Sequence, residues 1–205
     1  MAEGSWVKPV RALSWSDVDD REASLVARCA TGDEAACAEL VAEHERMVYQ
    51  LAFNLLGDHQ EALDLSQEVF LSVFRALASF RGQSSLRTWV YRIAVNHARN
   101  RQRWWSRRHR AAQVSLDDHI RHNGDVPSEA VSCLPEVEFD RKQLAARIQS
   151  ALADLPFEQR TAIVLREIDG LSYDEIGFSL GVAVGTVKSR LARAREALRA
   201  RLRDV

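Results

Sequence analysis

The sequence predicts an all-α protein of two helical domains joined by a flexible acidic linker, the C-terminal domain containing a helix-turn-helix. Three observations lead there. Apolar residues recur at helical spacing through most of the chain, with no strand-like alternation competing. That pattern lapses between residues 111 and 139 into a stretch holding two of the four prolines and six acids. Near the C-terminus, two short helical patterns follow one another across a glycine turn, at the spacing that packs two helices across each other.

The first helical run comprises "REASLVARCATGDEAACAELVAEHERMVYQLAFNLLG", "DHQEALDLSQEVFLSVFRALASF" and "SSLRTWVYRIAVNHARNRQRWW". Its breaks fall at Thr31-Gly32-Asp33, Gly57-Asp58 and Arg81-Gly82. The second run reads "DRKQLAARIQSALADL", "PFEQRTAIVLREIDG", "SYDEIGFSLG" and a final basic helix. Pro156 suits a first helical position, and Gly170 and Gly181 suit turns. The expected division is a flexible extension over 1–20, a helical domain over 21–110, a linker over 111–139 and a second domain over 140–205. A chain of 205 residues that is 46% hydrophobic has room for one core or two small ones, and length leaves that choice open.

The formal net charge of −1 conceals a segregated distribution. From Arg87 to Arg110 there are arginines at 87, 92, 99, 101, 103, 107, 108 and 110 with no acid between them. From Gly185 to Arg203, one lysine and six arginines face a single acid, Glu196. The stretch from Asp17 to Glu45 is the reverse, with only Arg21 and Arg28 against its acids. Two surfaces therefore suit polyanions.

Cys29, Cys37 and Cys133 form neither an even set nor a C-x-x-C pair, which argues against a disulfide scaffold or a structural zinc site. His119, His122 and Cys133 in the linker make a poor ligand set, and no cofactor or metal is expected. The N-terminus lacks the apolar stretch of a signal peptide and no apolar run is long enough to span a bilayer, so a cytoplasmic chain without membrane insertion is expected.

In "LSYDEIGFSLGVAVGTVKSRLARA", Ile176 and Leu180 precede the Gly181 turn, and Val187, Leu191, Ala194, Leu198 and Leu202 form the apolar stripe of the next helix. Lys188, Ser189, Arg190, Ala192 and Arg193 then mark the side suited to a DNA major groove. On the earlier basic helix, Arg92, Asn96, Arg99 and Arg103 share a stripe behind the polar loop "RGQSS", containing Arg81, Gln83, Ser84 and Ser85. Charge beside a small polar loop suits a single-stranded nucleic acid. Trp89 reads better as a packing residue than as a base platform. In "DLSQEVFLSVFRAL", Asp64, Gln67 and Glu68 group beside the apolar Leu65, Val69 and Val73. With no E-x-x-H, no glycine-rich phosphate loop and no G-x-S-x-G, the acids read as a solvated or partner-facing surface, and no catalytic residue is expected.

Taken together, "DLSQEVFLSVFRALASFRG", "LRTWVYRIAVNHARN" and "LPFEQRTAIVLREIDGLSYDEIGFSLGVAVGTVKSRLARARE" resemble the ECF (extracytoplasmic-function) group of RNA polymerase sigma factors. The resemblance covers both helical regions in order. It implies a factor that binds core RNA polymerase, recognises −10 and −35 promoter DNA elements, helps open the DNA, and is subject to an anti-sigma factor. It further implies that Asp64, Gln67 and Glu68 dock on the polymerase, and that Arg81, Gln83, Ser84, Ser85, Arg92, Asn96 and Arg99 meet the −10 element. Lys188, Ser189, Arg190, Ala192 and Arg193 would meet the −35 element, while the linker would run through the polymerase. The extension with Trp6 and Trp15 matches no motif. Two other readings are a polymerase-independent helix-turn-helix regulator, which leaves the acidic face and the "RGQSS" loop without a role, and a nuclease, which lacks a ligand set.

Overall fold

The computed structural model describes residues 20–112 and 135–203. The expected extension over 1–20, except Asp20, and most of the expected linker, including His119, His122 and Cys133, lie outside the described residues. Those described form helices and turns with no strand: α1 (Asp20–Ala30), α2 (Glu34–Leu56), α3 (His59–Leu77), α4 (Leu86–Ala112), α5 (Pro135–Ala153), α6 (Phe157–Ile163), a π-helical turn (Val164–Ile168), α7 (Tyr173–Leu180) and α8 (Val184–Arg201).

The helix boundaries follow local chemistry. Asp33 caps α2 by accepting from the Ala35 and Ala36 N–H groups at 3.0 and 3.1 Å. Gly57 closes that helix in the left-handed region, at φ 76°. Asp58 caps α3 through the Glu61 N–H at 2.8 Å. Three boundaries differ from expectation. α4 runs to Ala112 and α5 begins at Pro135, so both ends of the expected linker are helical. Proline at a first helical position has its fixed φ already suited to the helix and loses no hydrogen bond there. Pro156, expected inside α6, stands just outside it with ψ 138°, and its carbonyl accepts from the Gln159 and Arg160 N–H groups.

α1 to α4 pack as a bundle whose interior holds Leu40, Leu51, Leu55, Leu65, Val69, Val73, Tyr91 and Val95. The C-terminal helices bury Ile163, Leu165, Ile176, Leu180, Val187 and Leu191. The two sets belong to one continuous cluster of buried residues, which answers the question that length left open. α7 packs on α4, and α5, α6 and the π-helical turn pack on α2.

A further departure concerns the cysteines. Cys29 and Cys37 form a disulfide across the turn between α1 and α2, with their Cα atoms 5.0 Å apart. Gly32, at φ 89°, turns the chain back so that positions eight apart become neighbours. Counting cysteines along the chain did not anticipate this fold-back.

Candidate nucleic-acid interface

The helix-turn-helix is built from α7 and α8. Ser172 and Glu175 start α7 with a reciprocal capping box: the Ser172 hydroxyl accepts from the Glu175 N–H, and the Glu175 carboxylate accepts from the Ser172 N–H at 2.8 Å. Gly181, at φ 67°, ends it. Gly177 is required for a different reason, since a Cβ there would meet the Val182 carbonyl oxygen at 3.0 Å, where the turn passes close to the helix. Ile176 and Leu180 then seat Val187, Leu191 and Ala194, all buried, which fixes the rotation of α8.

That rotation exposes Lys188, Ser189, Ala192 and Arg193, with Arg190 half-buried. The Ser189 hydroxyl donates to the Thr186 carbonyl at 2.9 Å, and the Lys188 ammonium lies 5.9 Å from the centroid of the Tyr173 ring. Arg190 is different. Its Nη1 lies 2.7 Å from Glu158 Oε2, so it is ion-paired to the start of α6.

Along α4, Arg92 and Asn96 are exposed and Arg99 is half-buried. The Arg92 guanidinium sits 5.0 Å from the Phe178 ring centroid on α7. Arg99 Nη1 donates to Asn96 Oδ1 at 3.3 Å, while its Nε pairs with Glu158 Oε1 at 3.0 Å. Glu158 thus bridges Arg99 of α4 and Arg190 of α8. Trp89 packs against Phe80 at 5.0 Å between ring centroids, consistent with a packing role.

The "RGQSS" loop is only partly a surface. Arg81 and Gln83 are exposed, whereas Ser84 is 5% exposed and donates to the Ser85 carbonyl. The Ser85 hydroxyl accepts from the Thr88 N–H at 3.2 Å, as a capping residue does. The chain turns at Gly82, φ 64°, and carries the Ser84 side chain inward.

On α3, Asp64, Gln67 and Glu68 are exposed opposite the buried Leu65, Val69 and Val73. Asp64 accepts from Gln60 Nε2 at 3.1 Å. Glu68 pairs with Arg101 at 2.7 Å and lies 3.6 Å from His97, so α4 partly offsets its charge. Arg101 also pairs with Glu61.

Several residues that position these surfaces escaped the sequence reading. Buried Arg160 donates to the carbonyls of Leu55 and Ala153 at 2.6 Å and of Leu155 at 3.2 Å, joining the end of α2 to the turn before α6. Burial lowers its pKa. Arg87 donates to the Asp169 carbonyl at 3.1 Å, and Thr88 Oγ1 donates to Glu175 Oε1 at 3.2 Å. Burial raises the Asp169 carboxyl to about 6, partly countered by the Tyr91 hydroxyl and Arg87. Among the described residues no group of acids, histidines and cysteines is arranged to hold a metal, and no helix is long and apolar enough to cross a membrane.

Comparison with known proteins agrees with this arrangement. Residues 40–110 match the family model for sigma-70 region 2, and residues 145–198 match that for sigma-70 region 4. The chain is 37% identical over 179 residues to RNA polymerase sigma-H factor of Pseudomonas aeruginosa, covering 87% of this chain and 92% of that protein. It is 40% identical over 189 residues to the ECF RNA polymerase sigma factor SigE of Mycolicibacterium smegmatis, covering 90% and 70%. Among solved structures, CnrH in complex with the cytosolic domain of CnrY superposes with a TM-score of 0.67 at 27% identity, covering 91% of this chain and all of that one. RpoE of Bartonella quintana, in complex with the anti-sigma factor NepR, gives 0.64 at 25% identity, covering 82% and 96%. With both sigma-70 regions in order around a helix-turn-helix, the chain belongs to the ECF RNA polymerase sigma factors, non-enzymatic proteins that direct promoter-specific transcription initiation.

Proposed function

We propose that, within this initiation role, residues 21–110 dock on core RNA polymerase and engage the −10 element, while residues 140–205 engage the −35 duplex. The observation that carries the second assignment is the exposed face of α8, with Lys188, Ser189, Ala192 and Arg193 opposite the buried Val187, Leu191 and Ala194. A helix held by its apolar stripe presents that face as a unit to a major groove. Arg190 joins the same surface once its pair with Glu158 opens. For the −10 element, Arg81 and Gln83 lead, with Arg92, Asn96 and Arg99 tracking the strand behind them. Ser84 and Ser85 shape that loop from within. Asp64, Gln67 and Glu68 form the polymerase-docking face. The chain works in the cytoplasm, where the polymerase is. An anti-sigma factor is a further proposed partner, because the similar RpoE structure holds a sigma factor with an anti-sigma factor.

The compact arrangement bears on how this works. Glu158 holds one basic residue from each DNA-facing helix, and Arg92 lies over Phe178. Glu158 and Phe178 thereby engage part of the α4 stripe from the other half, so we read the packed form as the one that precedes promoter engagement.

The test is selection of −35 sequences from a promoter library by holoenzyme carrying Arg193→Ala or Arg199→Ala. Arg193→Ala is expected to cost about 1 to 3 kcal/mol and relax preference at one base position. Arg199→Ala, farther from the helix start, weakens binding evenly and flattens its salt dependence. An unchanged −35 preference and strength in Arg193→Ala overturns the reading face.

A further inference from the structure

α1 braces both ends of the N-terminal bundle. At its C-terminal end, Cys29 is disulfide-bonded to Cys37 in the first turn of α2. At its other end, Glu22 accepts a hydrogen bond from the Leu86 N–H, the first residue of α4, directly after the loop at 81–85. Arg21 pairs with Glu39 and Glu43, holding α1 along α2.

The turn that brings the sulfurs together does not depend on their bond. Thr31 N–H donates to the Ala27 and Arg28 carbonyls, Gly32 N–H to Cys29 and Asp33 N–H to Arg28. Arg28 pairs with Asp33 at 2.7 Å, and Asp33 caps α2. Two thiols held so close by an independent framework have a high effective concentration, so little order is lost when they join. Cys37 Sγ also lies 3.7 Å from the Cys29 carbonyl oxygen, an acceptor for the thiol after reduction. Cys29 is 6% exposed and Cys37 is half-buried, so a small reagent reaches Cys37 first. The bundle buries a long list of apolar side chains around this hairpin and has little need of a covalent staple.

We propose that Cys29 and Cys37 are a reversible thiol–disulfide site whose oxidation pins α1 to α2 and preorganises the loop ahead of α4. The oxidant is a peroxide. The Cys37 thiolate attacks one peroxide oxygen and breaks the O–O bond, giving a sulfenic acid and an alcohol, or water from hydrogen peroxide. The Cys29 sulfur then displaces the sulfenic hydroxyl as water and closes the disulfide. Two thiols have lost two electrons and two protons, and the peroxide has taken them up. A dithiol reverses the step, becoming a disulfide itself while both protein thiols return. In the oxidised form Glu22 stays on the Leu86 N–H and the loop is held for base capture. In the reduced form the turn and the Arg21 pairs still hold α1 on α2, but the covalent tie is gone, and the hold on the loop loosens by a small factor. This consequence rests on the assignment of Arg81 and Gln83 to the −10 element; the redox site does not.

The test uses the full chain with Cys133→Ser, so that only the pair reports. The protein is equilibrated across buffers of reduced and oxidised dithiothreitol, alkylated, and weighed intact. Zero alkylated thiols under oxidising conditions and two under reducing conditions are expected, in a single two-electron transition that hydrogen peroxide reverses. Cys29→Ala and Cys37→Ala each abolish the transition, and thermal melts establish that both variants fold. Thiols that stay open under peroxide, or a bond that no dithiol opens in the folded chain, overturn the site. Holoenzyme made with each form is then compared on duplex and pre-melted promoters. Reduction is expected to slow duplex opening by at least about threefold and to leave the pre-melted template unaffected. Equal opening by both forms overturns the relay to the loop. Gln83→Ala, run alongside, separates the two layers: if it leaves duplex opening unchanged, the −10 assignment fails, while the thiol titration still decides the site.

Discussion

α4 and α8 are both arginine-rich, and each divides its charge between ion pairs and open surface, but at different places along the helix. On α4, Arg99 is paired with Glu158, Arg101 with Glu61 and Glu68, and Arg87 with the Asp169 carbonyl. On α8, Lys188, Ser189, Ala192 and Arg193 face solvent near the helix start, while Arg190, Arg195 and Arg201 pair with Glu158, Glu167 and Asp154. Basic residues at helical spacing therefore identify a polyanion surface without saying whether it is open. Availability depends on acids such as Glu158, far away along the chain. On the proposed reading, the α8 face meets duplex DNA as it stands, whereas the α4 stripe is partly engaged by Glu158 and Phe178 and is released when the halves separate.

Breaking the joint at its most buried point gives the largest expected effect. Arg160→Ala leaves three carbonyls, of Leu55, Ala153 and Leu155, without their donor. A loss of about 3 kcal/mol in unfolding free energy is expected from denaturant titration. A loss under about 1 kcal/mol means that water replaces the guanidinium and that the two halves are not tied there.

Acidity sharpens the comparison next. The Asp169 carboxyl is raised to about 6 by burial in the folded arrangement, so the packed form binds more protons than an open one between about pH 4 and pH 6. Its contribution favours packing below that window and is lost as pH rises through about 6. At pH 7 the buried charge costs about 3 kcal/mol. Asp169→Asn is expected to stabilise the packed form at pH 7 and to remove this part of the pH dependence. Subtracting the variant's pH–stability curve from that of the parent chain isolates the effect from other carboxylates, and parallel curves between pH 4 and pH 7 refute it.

Glu158→Gln is gentler. It removes the charge shared by Arg99 and Arg190, and about 1 kcal/mol of stability should go with it, since both pairs lie near the surface. Promoter association should quicken in stopped-flow assays as both arginines are released. Slower association would mean that Glu158 positions them for DNA.

Much of this was legible along the chain because the determinants are local. Periodicity located the helices, Gly57 and Gly181 ended them, and the stripe from Val187 to Ala194 fixed which side of α8 is exposed. Less legible were features that depend on contacts across the fold. Arg160 looks like any surface arginine of "PFEQR" until Leu55 supplies a carbonyl from the other half. Ser84 looks like a loop hydroxyl until the turn at Gly82 carries it inward. Cys29 and Cys37 become partners only when the α1–α2 turn closes. On α3, Asp64, Gln67 and Glu68 group at helical spacing in the sequence and are exposed together, but the sharing of Glu68 with Arg101 and His97 needed the neighbouring helix.

The claim that the α4 stripe must be uncovered is tested most directly by distance. Donor and acceptor dyes carried on unnatural amino acids at Ser79, beyond the end of α3, and at Glu196, on α8, are both in exposed positions. Energy transfer in the free chain should be high and should fall when core RNA polymerase and promoter DNA are added, with Glu158→Gln showing an intermediate value before addition. Transfer that stays at its free-chain value in a complex actively making transcripts would contradict the account.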